Sequence, residues 1–585
     1  MRRFLVAAVP LFVIVAMLAP PVLAQTPAPA PKVTITGLFD QITGMGKNFY
    51  DGDYTRAGDH EWYARTRFRP DFTFEVGRVK AVLGLELDLT YGQVRPVGGG
   101  PGKGGTAGGS GGTTGDNSGS TSELSVNTDT AGIIEIKWIY TEFPLTGKDS
   151  LMPFIPVDTM ARLGGQPFAS LAQLREYALY AGGDFAGFSS ITQFNPDFNL
   201  KLAYVMVEDE LANYSKGQPI AATNPNYANV KVNRGNDFAV IVSPEWTATK
   251  GLTFKPMYSY FMADGVTNGN ARRTAVDRNI AGTLTNGGAA FGGQTVGYQA
   301  SNGSPSMHES RNTIGLETAW RAGAFGLFPV LYFQWGAREY VANVNSNGNA
   351  FTQRTVNTEM SSFLFDTVVS YQLGPLLLEA RGVYSPGNKA HDNLSKGIHY
   401  FEPLDEDNSY YTGWAMMLAG SPIDYFEGTN NSGDGSMSSN VGYDRYGRAQ
   451  LGIRATYSLT PAWSFWTMLN PTWTAQKVDT KTGVAASSGS SGSGNRVIIN
   501  DQSFTKGDSN YIGTEMDLGM TWRFAPNAAF DIGAGYLFAG AALKTTQCNG
   551  STVTLASGEN TCTGTTSQRD QHDAYTAQAR VRLSF

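Results

Sequence analysis

Three arginines stand at every second position of WYARTRFRPDFTFEV, residues 62–76: Arg65, Arg67 and Arg69. Alternate residues of a strand share a face, so this spacing builds a ladder of positive charge, and a ladder can guide an anion but cannot by itself transform one. The next link, Val76-Gly77-Arg78-Val79, reads as a two-residue hairpin with glycine first. Pairing Val76 with Val79 sets Glu75 opposite Lys80, Arg69 opposite Glu86 and Arg67 opposite Asp88. A slip of one residue would turn every apolar side chain to the wrong face. The neighbouring strand therefore neutralises most of the ladder, at about 0.2–1 kcal/mol per pair where water reaches it, and the ladder reads first as wall structure. Arg65, opposite Thr90, is the member left unpaired in this register.

Other polar faces carry Glu135 and Lys137, Glu379 and Arg381, Arg448 and Arg454, Glu515 and Asp517, and Arg580 and Arg582. A five-residue turn at 525–529 would set Arg523 against Asp531. Both signs occur, which predicts a transverse field and modest ion selectivity rather than a one-signed filter. Bond-making chemistry finds little support. His60, His308, His391, His399 and His572 all fall in or beside loops, without metal-ligand spacing. The stretch GGGPGKGG fails the phosphate-loop pattern, with Val97 where its first glycine belongs and Gly104 where Ser or Thr does. Glu402, Asp405, Glu406 and Asp407 form an oxygen-rich cluster, but the calcium-loop spacing is absent and the cluster reads as a solvated acidic loop. The same loop, 386–444, could instead fold inward and narrow an enclosed space. No CxxCH occurs, so no haem is covalently held. The expectation is a non-enzyme with no cofactor and no metal.

The elements that would position these groups are strands. The chain closes on AYTAQARVRLSF, in which Tyr575, Ala577, Ala579, Val581, Leu583 and Phe585 alternate with polar residues. RAQLGIRATYSL, YIGTEMDLGMTWRF and VKAVLGLELDLTY alternate in the same way. About 18 such segments are legible between Val33 and the end, with 16 also within reach of the count. Tight links at 77–78, 250–251, 374–375, 460–462 and 525–527 alternate with long polar ones near 92–130, 264–307, 386–444, 478–507 and 544–572. Trp138, Tyr140, Trp246, Trp320, Tyr371, Tyr457, Trp463 and Trp522 lie near strand ends, as interfacial aromatic belts do. Short turns at one end, long loops at the other and aromatic belts predict an all-β, transmembrane antiparallel barrel with alkane outside and water inside.

Residues 1–24, MRRFLVAAVPLFVIVAMLAPPVLA, have the charged start, apolar run and small-residue ending of a secretory signal peptide. Residues 25–32 are a Pro/Ala-rich lead, and 33–585 form the barrel. Charged residues are 16% and net charge is −6, which argues against nucleic acid as a partner. Cys548 and Cys562, close together in a polar stretch of an exported chain, predict a local disulfide.

The signal peptide, the amphipathic last strand ending in Phe585, the short-turn and long-loop alternation and the stretch ARLGGQPFA at 161–169 resemble Gram-negative outer-membrane porins. The resemblance covers the mature chain in architecture, and no motif in it selects a subfamily. It implies that Phe585 is part of the signal read by the barrel-assembly machinery. It also implies an outer-membrane location among lipid and lipopolysaccharide, passive diffusion of small hydrophilic solutes or ions, and room for a homo-oligomer. Two rivals stand beside it: a barrel sheath for a multihaem electron-transfer partner, and an export porin for polysaccharide or another specific substrate, for which one-signed lumen charge would be expected. A receptor with a plug domain is set aside, since eight residues separate the cleavage site from the first strand.

Overall fold

The structure is a computed structural model. It describes residues 30–48, 54–55, 60–91, 130–168, 179–181, 184–208, 237–264, 296–297, 306–345, 351–389, 397–404, 414–418, 446–478, 480, 484–486, 496–498, 507–548, 552–554, 560–562 and 566–585. The signal segment 1–24 lies outside the described residues, as do the side chains of Cys548 and Cys562.

Period-2 alternation becomes strand throughout. The barrel strands are β1 (Lys32–Lys47), β2 (His60–Val76), β3 (Val79–Tyr91), β4 (Thr130–Thr146), β5 (Asp158–Pro167) and β6 (Asp184–Asn195). There follow β7 (Phe198–Glu208), β8 (Asp237–Thr249), β9 (Leu252–Asp264), β10 (Ser306–Ala322), β11 (Phe325–Asn345) and β12 (Phe351–Leu373). The last six are β13 (Leu376–Ser385), β14 (Arg448–Ser458), β15 (Trp463–Val478), β16 (Ser509–Ala525), β17 (Ala528–Ala539) and β18 (Ala574–Ser584). Each pairs antiparallel with the next, and β18 pairs back onto β1 with Leu38 opposite Ser584 and Lys47 opposite Tyr575. The sheet is a closed barrel of 18 strands, which leaves no edge of unpaired backbone groups.

Two-residue turns sit at one end: Gly77-Arg78, Pro196-Asp197, Lys250-Gly251, Gly323-Ala324, Gly374-Pro375 and Pro526-Asn527. Gly77, Gly251, Gly323 and Gly374 adopt the positive φ these turns demand, at 60°, 86°, 61° and 57°. The β2–β3 register is the one the turn dictates: Val76 faces Val79, Glu75 faces Lys80 and Arg67 faces Asp88. At the β16–β17 turn the expectation fails. Ala525 pairs with Ala528 across Pro526-Asn527, and the register shifts between Trp522 and Ala525, so Thr521 and not Arg523 stands opposite Asp531. The tighter turn, with Asn527 at φ 62°, leaves Arg523 exposed, its N–H bonded to the Ala462 carbonyl at 2.7 Å.

Outward positions are apolar and exposed: Ile314, Leu316, Leu331, Phe333, Leu451, Ile453, Leu469, Leu518 and Ile532 among others. Aromatic residues gather at two levels. At the short-turn end Trp463 stacks on Trp522 at 5.1 Å, Trp246 meets Phe254 at 6.0 Å and Trp320 meets Phe325 at 5.7 Å. Towards the other end stand Phe333 with Trp335 at 5.7 Å and Tyr536 with Phe538 at 4.8 Å. Phe325 and Trp335 are ten residues apart on β11. At about 3.3 Å per residue and a tilt of about 40°, that is roughly 25 Å of height, the thickness of an apolar band that faces lipid. Water cannot be the solvent of such an exterior.

Candidate channel interior

Inward positions on β1–β5 carry charge in rows. Glu86, buried on β3, takes Arg67 at 2.5 Å, Arg69 at 3.3 Å and Lys137 at 3.1 Å. Nearer the short turns, cross-strand neighbours alternate in sign. Lys32 meets Glu75 at 3.6 Å, Lys80 meets Glu75 and Glu142 at 3.7 Å each, and Arg162 meets Glu142 at 2.7 Å. These five line a cavity of about 320 Å³ with Thr34, Thr73, Val82 and Tyr140. The side chains of Arg65, Asp88 and Glu135 lie outside the described residues.

A bulge changes the face of two residues read as belt. Gly84 pairs with Trp138 but Leu85 pairs with Ile136, so residue 137 is extra and both Lys137 and Trp138 reach the lumen. The Trp138 indole donates to Asp71 at 2.9 Å and lies flat over Gly84, where a Cβ would stand 2.0 Å from Nε1. Tyr140 lines the cavity and carries the Arg162 guanidinium 5.0 Å from its ring centre. Trp138 and Tyr140 are therefore inner-wall residues, whereas Trp246, Trp320, Tyr371, Tyr457 and Trp522 are exposed on the outside and Trp463 stacks there on Trp522.

On β9–β12 the inner wall is covered. Glu309 of β10 stands opposite Arg338 of β11, at 2.9 Å, and also meets Arg311, two residues on along β10, at 3.2 Å. Glu402, from the connection after β13, completes the set, bonding Arg338 at 2.6 Å and also Arg311. Its backbone is fixed as well: the Gln334 amide donates to the Glu402 carbonyl at 2.8 Å, and the Glu402 N–H donates back at 3.1 Å. Two cations and two carboxylates thus balance in a site where an unpaired charge would cost several kcal/mol. Phe401 stacks on Tyr332 at 6.0 Å, and Tyr180, from the connection after β5, donates to Ser259 at 2.9 Å. Next to this region Arg381 holds Asp366 at 2.7 Å.

The same long connection returns to the lumen at 414–418. Trp414 packs with Ala319, Phe328, Val368, Met468 and Trp466, and its ring lies 4.7 Å from the Arg454 guanidinium, which is itself paired to Glu379 at 2.6 Å. Three backbone N–H groups, of Met416, Met417 and Leu418, donate to the Glu515 carboxylate at 2.6, 2.7 and 2.9 Å. Asp517 lies on the same face. Arg448 bonds Gln450, Arg580 meets Asp531 at 2.8 Å and Arg582 meets Asp40 at 2.7 Å.

The interior is therefore uneven. On β10–β12 and β16 its charged groups are buried, as at Glu309, Arg311, Arg338, Asp366, Glu515 and Asp517. On β3–β5, around the buried Glu86, the cations keep contact with water: the side chains of Lys80, Arg162 and Lys137 are 42%, 35% and 26% exposed. Sequence reasoning missed Asp40, Asp71, Glu142, Arg162, Asp366 and the Glu309–Arg311–Arg338 set. The spacing-two run Glu309, Arg311, Thr313 in SMHESRNTIGLETAWRA carried the signal for the last of these. Asp405, Glu406 and Asp407 lie outside the described residues, and Glu402, the described member of that cluster, binds arginine.

No protein-family model matches the chain, and no curated protein matches it. Solved structures of similar shape include OccK8 (OprE) of Pseudomonas aeruginosa, with a TM-score of 0.43 at 10% identity over 95% of this chain and 98% of that one. OccAB2 of Acinetobacter baumannii gives a TM-score of 0.43 at 9% identity over 95% and 98%. The outer membrane protein opdK of P. aeruginosa gives 0.38 at 8% identity over 94% and 99%.

Proposed function

We propose that the protein is an outer-membrane channel for passive diffusion of small hydrophilic solutes, with its water path running against the β1–β5 wall. The observation that carries this reading is the uneven interior: a lipid-facing barrel is narrowed by inward-folded 179–181, 400–404 and 414–418, while charged groups on one wall stay hydrated beside a cavity of about 320 Å³. A sheath for a protein partner requires a wide bore, and the packing of Trp414 and Glu402 on the inner wall draws the connection after β13 into the barrel. The mixed charges disfavour a one-signed exporter.

Along the hydrated wall Arg162 and Lys137 stand further into water than their carboxylate partners, at 35% against 17% for Glu142 and 26% against 7% for Glu86, while Arg67 is buried with Glu86. A solute passing this wall meets a weakly positive surface, which favours small anions modestly. Planar-bilayer recording of the folded barrel tests the reading. The expected result is a steady ohmic conductance with a reversal potential shifted towards the anion in a salt gradient, and a larger conductance after removal of 400–418. Silence at all voltages, or a conductance indifferent to that removal, overturns it.

A further inference from the structure

Glu515 and Asp517 are alternate residues on the inner face of β16, 0% and 1% exposed. The Glu515 oxygens accept three consecutive backbone N–H groups from 416–418. Both Asp517 oxygens are buried beside the Glu515 carboxyl and the Met416 backbone, and neither takes a well-formed hydrogen bond from an N–H or hydroxyl group among the described residues. A Cβ on Gly535 of β17 would lie 2.3 Å from Asp517 Oδ1 and 3.3 Å from Glu515 Oε1, so the two carboxyl groups converge on one spot.

The described neighbours supply no cation to that spot. On β14, Arg454 is committed to Glu379 of β13 and to the Trp414 ring, and Arg448 to Gln450. Asp531 of β17 is matched by Arg580 of β18. The facing residues of β15 are Asn470 and Met468, and 414–418 reads Trp-Ala-Met-Met-Leu, so none of these bears charge. The other inward anchor of the same connection is built differently. Glu402 sits with Glu309 between Arg311 and Arg338, two charges of each sign.

We infer that Asp517 makes the contact between Glu515 and 414–418 a releasable latch, so that the lumen widens from this end while the Glu402 anchor stays closed. The inference rests on the channel reading above. A lone carboxylate holding three N–H groups would be a firm clasp. A second carboxyl group against it, with no cation beside it among the described residues, adds repulsion whenever both are charged, and in a dry site only water relieves that repulsion. Water reaches the pair when 414–418 lifts away. Two carboxyl groups converging in a dry site hold one proton between them rather than both ionise, and alkaline solution, which removes that proton, loosens the latch.

The test is single-channel recording of the full mature barrel from neutral to alkaline pH, for the native protein and for Asp517→Asn, Asp517→Ser and Glu515→Gln. Resistance of the unheated barrel to SDS serves as the check of folding. The native channel is expected to visit a wider state more often as pH rises. Asp517→Asn places an amide donor where the repulsion stood and should cut those visits on the order of tenfold while flattening their pH profile; Asp517→Ser should flatten it too. Glu515→Gln, with its charge-assisted bonds lost, should visit the wider state at every pH. A pH profile in both Asp517 variants equal to the native one overturns the latch alone, whereas absence of any conductance in the native barrel overturns the channel reading and the latch with it.

Discussion

Arg582 and Asp40, 542 positions apart in sequence, meet as a two-pronged ion pair on the inner wall, Nε to Oδ1 at 2.8 Å and Nη2 to Oδ2 at 2.7 Å. The pair spans the seam where the last strand joins the first, one level from the turn end where the Phe585 and Gly37 backbones bond each other at 2.8 and 3.0 Å. Asp40 is fully buried while Arg582 keeps 28% exposure, so the carboxylate depends on the arginine more than the reverse.

Arg582→Met should therefore loosen the seam by leaving Asp40 buried without its cation. A dry pair broken this way costs about 3–5 kcal/mol, and the partial hydration here reduces it to roughly 2–3 kcal/mol. The denaturant midpoint of the barrel in detergent checks this, and adding Asp40→Asn should recover part of the loss.

Glu402→Ala should free 400–404 from the wall, because it removes the carboxylate by which that segment holds Arg311 and Arg338. The lost contact is worth about 3 kcal/mol, enough to change which arrangement dominates. Conductance should rise in steps and current noise should grow, while the barrel itself stays folded.

Gly84 on β3 has no room for a larger residue. A Cβ would stand 2.0 Å from the Trp138 indole nitrogen, so Gly84→Val must displace the ring and break its bond to Asp71. The expected cost is about 1–3 kcal/mol. Trp138→Leu, which keeps the space but removes the donor, should instead alter anion preference, read as a change in reversal potential with little change in denaturant midpoint.

Trp463 and Trp522 form a stacked pair on the outside at the short-turn end. Replacing either with alanine should cost about 0.5–1.5 kcal/mol beyond the lost apolar area. Fluorescence should be quenched by lipids brominated near the headgroup and not by aqueous iodide. The reverse pattern would remove the lipid-facing assignment of this surface.

Much of the barrel is legible in sequence because its rules are local. RAQLGIRATYSL alternates along its own length, and Gly77 at positive φ sets the β2–β3 register over the next dozen residues. Closed turns at one end follow from residues within each turn. The inner wall is a different case. Arg69 meets Glu86 as its register position implies, and Arg67 reaches Glu86 as well, because side chains of that length also bridge to diagonal neighbours that a register does not rank. Trp138 reads as belt because an extra residue at 137 inverts the alternation, and a bulge leaves no mark in composition.

The amino-acid order by itself determined the strand alternation, the β2–β3 register set by its Gly77 turn and the split between an apolar exterior and a polar interior, since each depends on residues that are neighbours along the chain. Only the tertiary structure decided where Arg582 finds Asp40, that 400–404 and 414–418 enter the lumen, and that Glu402 and Glu515 receive them. Those contacts join groups separated by tens to hundreds of positions, and their energy exists only once the closed barrel has excluded water and brought the partners within reach.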